Sequence, residues 1–528
     1  MPADFSFQLY PDDLERLEHY IEDACARVPL LGRAGITRVV NGPIPYVPDG
    51  NPLIGPMPGA PNAFAACVFT FGIVQAGGAG KVLAEWVTAG GTQWDMWSCD
   101  PRRFTAYADQ EYATAKGIEI YSHEYAMQFP HYQWPAGRDQ RVSPLCSRWQ
   151  AMGAQRMAMA GWERAAWFAQ GNDNTQLEAC ETLAREGPWF EAVKRECAAV
   201  HTSAGILELP GFSRFVVSGE GTLEWLRTLV TGTLPRVGRM SLAYFADEQG
   251  RVLSEMSVIR RSTDEFLLMS GAGAEWHDEQ WLRQHLSVDA AITIENCTDK
   301  YSVLVLSGPN ARKILASVCS ADTSSPWLSH QQCEIAARPV HLMRVSYVGE
   351  LGWEIHALID DAVAVFESIW AAGEAHGLRP FGMYAMDSLR IEKGYRSWKQ
   401  DLSTDYSMLE AGLERSVKWD KPNFIGRDSL LAERQAGSRQ QFVALKIDAL
   451  ECDAPYLATI WLGDERVGLV TSGSYGHRVD ASFALGVVAT HAAGAGTRLE
   501  LEIYGQRCTA EVQDGQCVYD SDNNRIRA

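Results

Sequence analysis

The sequence predicts an α+β protein in three parts: the late part of an α/β domain, a mixed α+β domain and a C-terminal antiparallel β-barrel. Residues 1–95 hold a helix, short strands and a glycine-rich helix start, but not the β-α-β unit that opens a nucleotide-binding domain. From about residue 205, short strands alternate with amphipathic helices, which favours an α+β domain. From about residue 438, six short strands follow one another with turn residues between them, which is typical of a small barrel.

The first 95 residues are interpreted element by element. Leu14, Leu17 and Ile21 recur at helical spacing after a Pro-Asp-Asp start, so residues 11–28 are predicted as an amphipathic helix. The run "ITRVVNG" (36–42) predicts a short strand, and "NAFAACVF" (62–69) predicts a buried one. A glycine-rich turn then opens a helix, within "FTFGIVQAGGAGKVLAEWV" (69–87).

That turn matches neither common phosphate-binding pattern. Lys81 is followed by Val82 rather than Ser or Thr, which excludes a P-loop, and Leu83 stands where a G-x-G-x-x-G fingerprint needs glycine. Residues 96–175 are rich in Trp, Tyr, Pro and Arg, and no long periodic element is predicted there.

Composition excludes several classes of protein. The net charge of −19 over 528 residues argues against a nucleic-acid or anionic-membrane surface, because both need a basic footprint. Twelve cysteines occur without a C-x-x-C pair, and the first residues lack a basic n-region, so reduced thiols and a cytoplasmic location are expected. His123, His131 and His477 lack partners at ligand spacing, so no metal site is predicted.

Several stretches together carry a family resemblance. "RVSYVGELGWEI" (344–355), "MDSLRIEKGYRSWKQDL" (386–402) and "VGLVTSGSYGHRV" (467–479) resemble the folate-binding region of the aminomethyltransferase family, the glycine cleavage T-proteins. They resemble more closely the carboxy-terminal part of the flavin-dependent dimethylglycine and sarcosine dehydrogenases. Residues 40–59 and 69–87 resemble the end of the flavin domain of those dehydrogenases, and residues 143–168 resemble the junction between their two halves.

The resemblance implies four segments. Residues 1–95 are expected to be the late segment of an FAD-dependent oxidoreductase domain without its dinucleotide lobe, and residues 96–175 a central junction. Residues 176–435 are expected to form the folate-binding domain, and residues 436–528 the barrel.

The family resemblance also implies an activity. In such an enzyme FAD takes a hydride from an N-methyl carbon, and tetrahydrofolate captures the released one-carbon unit. The expected partner is a small N-methylated amine, and a separate FAD-binding subunit is a further possibility, because the dinucleotide fingerprint is absent and the chain alone is expected to hold flavin poorly. Two alternatives stay open: a free-standing folate-dependent aminomethyltransferase, and a non-catalytic folate-binding subunit of a split flavoprotein.

The resemblance places the flavin ring edge at five residues: Asp49, Gly50, Phe71, Gly72 and Ile73. A helix N-terminus carries about half a positive charge, which stabilises the negative charge of a reduced flavin. The alternative is a glycine-rich turn that serves only close helix–strand packing.

Folate binding is assigned by resemblance to five residues: Tyr347, Glu350, Arg390, Tyr395 and Trp398. Two glycines are predicted to make a turn that brings Glu350 to the pocket, where a carboxylate can accept two hydrogen bonds from the pterin edge. A helix is predicted to open at Asp387 and to close near Gly394, with Arg390 on it. The alternatives are that Glu350 is a solvated hairpin acid and that Arg390 only pairs with Asp387.

Glu255 is the candidate catalytic residue. The family carries an aspartate after a G-G-x-x-x-D turn, and here Gly250 and Arg251 replace the two glycines and Glu255 replaces the aspartate. Glutamate has the same charge and one more methylene, and a misplacement of about 1 Å can cost roughly a hundredfold in rate. The alternative is that Glu255 is an exposed acid at a strand end.

Overall fold

The computed structural model describes residue 6 and residues 8–60, 62–449 and 451–528. The chain divides into two compact units. Unit 1 comprises residues 1–103 and 109–125, and unit 2 comprises residues 104–108 and 126–528. The α+β class predicted from the sequence is confirmed, including the closed barrel at the C-terminal end.

The described residues of unit 1 form the helices α1 (Glu18–Arg27), α2 (Ala76–Ala89) and α3 (Gln110–Ser122), and a hairpin in which β1 (Leu53–Pro56) pairs antiparallel with β2 (Phe64–Cys67). The α1 helix lies within the predicted range. A 3-10 turn at Gly72–Gln75 leads into α2, as the glycine-rich run indicates. Ile54, Ala79 and Val82 form the small core of this unit.

Three expectations for the N-terminal region are wrong. Residues 36–42 form no strand: only an isolated bridge joins Asn41 to Tyr10, because β-branched residues need a neighbouring strand to pair with. The β2 strand is partly to fully exposed rather than buried. The α3 helix lies in the region expected to lack a long element. Its start is fixed by Asp109, whose side chain accepts a hydrogen bond from the Tyr112 backbone N–H at 2.8 Å.

Unit 2 begins with a short helix and a hairpin, α4 (Cys146–Ala151), β3 (Ala154–Met159) and β4 (Trp162–Phe168). Its other helices are α5 (Phe190–Thr202), α6 (Thr222–Leu229), α7 (Glu275–Gln284), α8 (Ala311–Val318), α9 (Ala362–Gly373), α10 (Met383–Glu392), α11 (Arg427–Ala436) and α12 (Asn524–Arg527).

Two sheets make up the α+β part of unit 2. The strands concerned are β5 (Ala204–Glu208), β6 (Ser213–Gly219), β7 (Met240–Ala246), β8 (Val252–Arg260), β9 (Glu265–Ser270), β10 (Ile292–Asn296), β11 (Tyr301–Ser307), β12 (His330–Ile335), β13 (Arg338–Met343), β14 (Gly352–Leu358) and β15 (Leu378–Pro380). The first sheet has the order β10-β6-β9-β8-β7, and the second has the order β12-β13-β14-β11-β5-β15. Within these two sheets, as far as the described residues go, β15–β5 is the one parallel strand pair and the others are antiparallel.

One face of the first sheet packs against the second sheet. Met240, Ile259, Leu267 and Met269 from the first sheet form a buried cluster with Met343 of β13. The opposite face of the first sheet contacts α6 and α7 through a separate cluster that includes Phe215, Val258 and Leu282. Because side chains alternate along a strand, every second residue of β6, β8 and β9 faces the space between the sheets.

The six predicted C-terminal strands are confirmed as a closed barrel: β16 (Gln440–Ile447), β17 (Thr459–Leu462), β18 (Glu465–Gly476), β19 (Ala481–Ala489), β20 (Arg498–Ile503) and β21 (Gln506–Val512). Their inward residues, among them Leu445, Ile460 and Leu501, are fully buried. Closure pairs every edge strand, which is how a small antiparallel sheet avoids exposed backbone groups.

The helix predicted from Asp387 begins four residues earlier, at Met383. The Gly382 N–H just before it donates to Glu196 at 2.8 Å, an acceptor supplied by α5 that the local sequence does not reveal. The predicted end is close: α10 stops at Glu392, and Gly394 adopts a positive φ of 64°.

Among the described residues, no helix is long and apolar enough to cross a membrane. Within the same residues, no group of three or more His, Cys, Asp or Glu side chains is arranged to hold a metal ion.

Candidate folate site and its neighbours

The predicted turn before β14 is present and separates Tyr347 from Glu350. Gly349 has φ 73°, and a Cβ added there would lie 2.4 Å from Cγ of Lys393, so only glycine fits. The Tyr347 hydroxyl donates to the Arg396 carbonyl oxygen at 2.8 Å, and its ring lies parallel to that of Tyr395, with centroids 5.8 Å apart. The structure therefore brings Tyr347 and Tyr395 together.

Glu350 points away from that pair into a cluster of arginines. One carboxylate oxygen accepts from Arg478 Nη1 at 3.0 Å and from the Tyr519 hydroxyl at 2.7 Å, and the other accepts from Arg525 Nε at 2.5 Å. Arg478 also bonds Glu392. We call Glu350, Glu392, Arg478 and Arg525 the arginine cluster. Its two carboxylates are almost completely buried, so Glu350 is not the solvated hairpin acid considered above.

Arg390 is likewise bonded within the protein. Its guanidinium donates to Asp387 at 2.7 Å and to Asp401 at 3.0 Å, and its side chain is 2% exposed. Asp401 in turn accepts from the Ser397 backbone N–H at 2.8 Å. This geometry includes the predicted pairing with Asp387 and extends it: Arg390 fixes the start of the loop that carries Tyr395 and Trp398. Its assignment as a direct folate contact stays a prediction.

Trp398 lies beside the strand that carries the candidate catalytic residue. Its indole Nε1 donates to the Leu253 carbonyl oxygen of β8 at 3.3 Å, and its ring packs against His277. The loop after α10 thus lies next to β8, and Arg396 from this loop contributes a positive charge near Glu255.

Glu255 lies in the middle of β8, directly opposite Tyr244 of β7. It is partly buried, so it is not the exposed strand-end acid considered above. Burial raises the pKa of Glu255, and the hydrogen bond from the Tyr244 hydroxyl and the charge of Arg396 oppose that rise. A carboxyl with a raised pKa exchanges a proton closer to neutral pH than an ordinary glutamate does.

Sequence reasoning missed a second carboxyl group, Glu354 on β14. Burial raises the pKa of Glu354 to about 7, against the positive charge of Arg214. One carboxylate oxygen bonds His356 Nε2 at 3.2 Å, and among the described residues no donor reaches the other. The sequence pattern could have indicated Glu354, because it alternates with the apolar Trp353 and Ile355. That alternation places an acid on one face of a strand, in the same segment that contains Glu350.

Glu255 and Glu354 face the same space. Arg214 and Met269 are cross-strand partners, as are Met269 and Ser257, and Glu255 lies two residues before Ser257 on the same face of β8. On the facing sheet, Glu354 is the cross-strand partner of Met343, which packs against Met269. We call Arg214, Tyr244, Glu255, Glu354 and His356 the inter-sheet site.

The candidate flavin residues all lie in unit 1. Phe71 precedes the 3-10 turn, Gly72 has φ 63°, and Phe71 and Ile73 are exposed. A Cβ added at Gly72 would meet nothing within 4 Å, so the turn is open to a ligand.

Asp49 and Gly50 lie in the loop before β1. Arg103 donates to both Asp49 oxygens, at 2.7 and 2.8 Å, which gives that carboxylate a local structural partner. A Cβ at Gly50 would lie 3.3 Å from Ile120, so this glycine packs against α3. No described hydrogen bond of Asp49 connects it to the turn at Phe71–Ile73. The five flavin assignments stay predictions.

Comparison with known families decides the classification. The model described as "GCVT N-terminal domain" matches residues 145–421, more than half of the chain. The chain belongs to the GCVT family. Three further models match in series: "FAD dependent oxidoreductase" at residues 2–86, "FAD dependent oxidoreductase central domain" at 89–143, and "Glycine cleavage T-protein C-terminal barrel domain" at 440–520. The resemblance recognised in the sequence is confirmed.

The relatives of this GCVT-family chain include dehydrogenases and an aminomethyltransferase. Human mitochondrial dimethylglycine dehydrogenase is 34% identical in an alignment that covers all of this chain and 61% of the dehydrogenase. Human mitochondrial sarcosine dehydrogenase is 30% identical in an alignment that covers 92% of this chain and 57% of the dehydrogenase. The chain therefore spans about 60% of the length of these relatives. An aminomethyltransferase from Geobacillus thermodenitrificans is 29% identical over 61% of this chain and 89% of its own length.

A solved structure supports the fold. The crystal structure of glycine cleavage system aminomethyltransferase T from Bartonella henselae superposes with a TM-score of 0.62 at 23% identity, covering 71% of this chain and 97% of the other. At that identity the match shows the fold alone.

Proposed function

We propose that this chain is the folate-binding part of an FAD- and tetrahydrofolate-dependent N-methyl amine dehydrogenase. It would demethylate a dimethylglycine- or sarcosine-like substrate by oxidation at the CH–NH bond and pass the one-carbon unit to tetrahydrofolate. Support comes from the order of the four family matches and from the names of the dehydrogenases that align along nearly the whole chain.

The observation that carries the proposal is the inter-sheet site. Two carboxyl groups with raised pKa values, Glu255 and Glu354, face one space between two sheets of the GCVT domain. Carboxyl groups whose pKa values are raised by burial are typical of sites that take up and release protons. The carboxylate oxygen of Glu354 that has no donor among the described residues is available to the N–H edge of a pterin.

Each residue of the site has a role in the proposal. Glu354 binds and orients the pterin edge, and the stacked Tyr347–Tyr395 pair, whose Tyr347 lies within electrostatic range of Glu255, provides an aromatic wall. Burial raises the pKa of Glu255, so this carboxyl retains its proton to a higher pH than an ordinary glutamate and exchanges it with an amine nitrogen. When bound, FAD supplies the hydride acceptor and tetrahydrofolate supplies the nitrogen that takes up the one-carbon unit.

The turn at Phe71–Ile73 fits a flavin ring. The open glycine at position 72 lets a flat ring approach the backbone, and the positive end of the α2 dipole would stabilise the negatively charged edge of the ring. A separate FAD-binding subunit is not supported, because residues 2–86 of this chain themselves match the FAD dependent oxidoreductase model.

An aminomethyltransferase is the second candidate, favoured by the Geobacillus relative, of which the chain covers 89%. The test is to incubate the full chain, joined to the dinucleotide-binding part of a dimethylglycine dehydrogenase, with tetrahydrofolate and either dimethylglycine or sarcosine plus FAD, or an aminomethyl group on a carrier protein. Formation of 5,10-methylenetetrahydrofolate that needs FAD supports the dehydrogenase, and formation without FAD supports the aminomethyltransferase.

A parallel calorimetric titration with 5-formyltetrahydrofolate checks the binding step. Binding without turnover of either substrate would indicate the non-catalytic folate-binding subunit. Failure to bind a reduced folate at all would overturn the assignment of the inter-sheet site.

A further inference from the structure

A buried arginine and a buried histidine connect the two sheets behind Glu354. Arg214 of β6 donates through Nη2 to Nδ1 of His356 on β14, at 2.9 Å. On the other side of the ring, Nε2 of His356 lies 3.2 Å from a carboxylate oxygen of Glu354. Arg214 is 2% exposed and His356 is 1% exposed, so water does not compete for these bonds.

The donors fix the tautomer of the histidine. A guanidinium has only N–H donors, so the Nδ1 that Arg214 contacts must be an acceptor. The proton of the neutral ring is then on Nε2 and is donated to Glu354. Burial and the charge of Arg214 lower the pKa of His356 well below its usual value, which keeps the ring neutral and the tautomer unchanged.

We propose that Arg214 and His356 are positioning residues that hold the Glu354 carboxylate ionised and directed toward its ligand. The inference rests on the proposed function, in which Glu354 accepts from the pterin edge. Arg214 stacks over the Tyr301 ring at 3.9 Å, which holds the guanidinium in place. Among the described residues, its Nε and Nη1 have no hydrogen-bond acceptor, so its charge is directed mainly at His356 and Glu354.

Other charged and titratable groups surround the chain of hydrogen bonds from Arg214 through His356 to Glu354, which we call the relay. His341 of β13 is the cross-strand partner of His356, and His330 of β12 lies 3.0 Å from His341. Burial lowers the pKa of His330 to about 4 and that of His341 to about 3, so both rings stay neutral near pH 7. Arg261, Tyr301 and Cys297 also act electrostatically on Arg214, and burial raises the pKa of Cys297. Glu354 is therefore the group in this set expected to titrate near neutral pH.

Two substitutions of the same histidine separate hydrogen bonding from packing. In His356→Gln the amide can still accept from Arg214 and donate to Glu354, whereas the shorter side chain of His356→Asn reaches only Arg214. His341→Asn removes a neighbouring imidazole that does not contact Glu354 and is the matched control. Each full-length variant is titrated with 5-formyltetrahydrofolate between pH 6 and pH 8.5, with thermal unfolding measured alongside.

We expect His356→Asn to bind about tenfold more weakly at neutral pH, with its loss of affinity beginning at a higher pH than in the parent. His356→Gln and His341→Asn should bind within about twofold of the parent. Equal affinity of His356→Asn and the parent across the pH range would overturn the inference. Equal weakening in the Gln and Asn variants would also overturn it, because packing and not the donor would then be responsible.

A ligand-independent measurement keeps this test separate from the proposed function. The protonated carboxyl band that disappears in Glu354→Gln is followed against pH by infrared spectroscopy. Its midpoint in the parent is expected near pH 7, and in His356→Asn about one pH unit higher. An unchanged midpoint would reject the relay even if folate binds, and a raised midpoint would support it even if no folate binds.

Discussion

The arginine cluster and the inter-sheet site each contain glutamate and arginine, and each takes one glutamate from the same short segment, residues 350–354. Glu350 and Glu354 are four residues apart, yet the first has donors on both carboxylate oxygens and the second on only one among the described residues. A buried carboxylate saturated with arginines serves the fold, because its bonds are already made. A buried carboxyl that lacks a full set of partners has capacity left for a ligand.

The largest effect that distinguishes the two regions is on stability. Arg478→Ala would leave Glu350 and Glu392 without their shared partner in a site where Arg478 is 1% exposed. We expect the free energy of unfolding to fall by about 3–5 kcal/mol, the usual result of removing one partner from a buried ion pair. Chemical denaturation measures it.

The matched control is Arg227→Ala. Its partner Glu224 lies on the exposed surface of α6, so a loss below about 1 kcal/mol is expected. If Arg478→Ala were no more damaging than this control, the arginine cluster would not be a structural element.

The next effect concerns catalysis at Glu255. Replacing Glu255 by Gln removes its exchangeable proton but retains its size, so one-carbon transfer should fall about a hundredfold while folate affinity and stability change little. The assay scores 5,10-methylenetetrahydrofolate against free formaldehyde, with the exposed Glu248→Gln as control. Glu255→Asp is expected to be tolerated or improved. Parent-level transfer by Glu255→Gln would exclude a role for this carboxyl in the reaction.

A smaller effect is the pH dependence of stability caused by Glu354. Its pKa rises from 4.5 to about 7 on folding, so the folded protein binds this proton more tightly than the unfolded chain does. The contribution is complete below about pH 4.5 and is lost as the pH rises through 7. Glu354→Gln should therefore be more stable than the parent at pH 8, by about 1–2 kcal/mol, since the carboxyl is 14% exposed.

Urea unfolding of the parent and of Glu354→Gln at pH 5 and pH 8 measures that difference. The gap between the two proteins should narrow toward pH 5. A gap that stayed constant with pH would show that Glu354 titrates as an ordinary surface glutamate.

The two regions also show which features of the fold and the site can be predicted from sequence patterns. The barrel was predictable because its strands alternate and are separated by turn residues. The turn at Gly349 was predictable from its glycines, whereas Glu255 lies inside β8 and not at the turn or strand end considered for it. The partners of Glu350 were not predictable, since Arg478 and Arg525 lie 128 and 175 residues away along the chain. Glu354 lies on a strand face that the alternating pattern predicts, but the family resemblance assigned folate binding to Glu350 instead.

Local patterns failed most in unit 1. The run at 36–42 has strand-forming residues but no partner strand, and α3 starts at an Asp109 cap without a clear apolar stripe. Pairing and capping are decided by contacts that a periodicity search does not include.

The most direct test of the account compares Glu354→Gln with Glu350→Gln in one calorimetric titration with 5-formyltetrahydrofolate. Each affinity is corrected for the folded fraction, because Glu350→Gln is expected to be less stable. We expect Glu354→Gln to bind about ten- to a hundredfold more weakly, the effect of a pterin N–H pair left without its charged acceptor. Folded Glu350→Gln should bind within about threefold of the parent. Strong loss in Glu350→Gln with parent-like binding in Glu354→Gln would contradict the account and return the pterin contact to the arginine cluster.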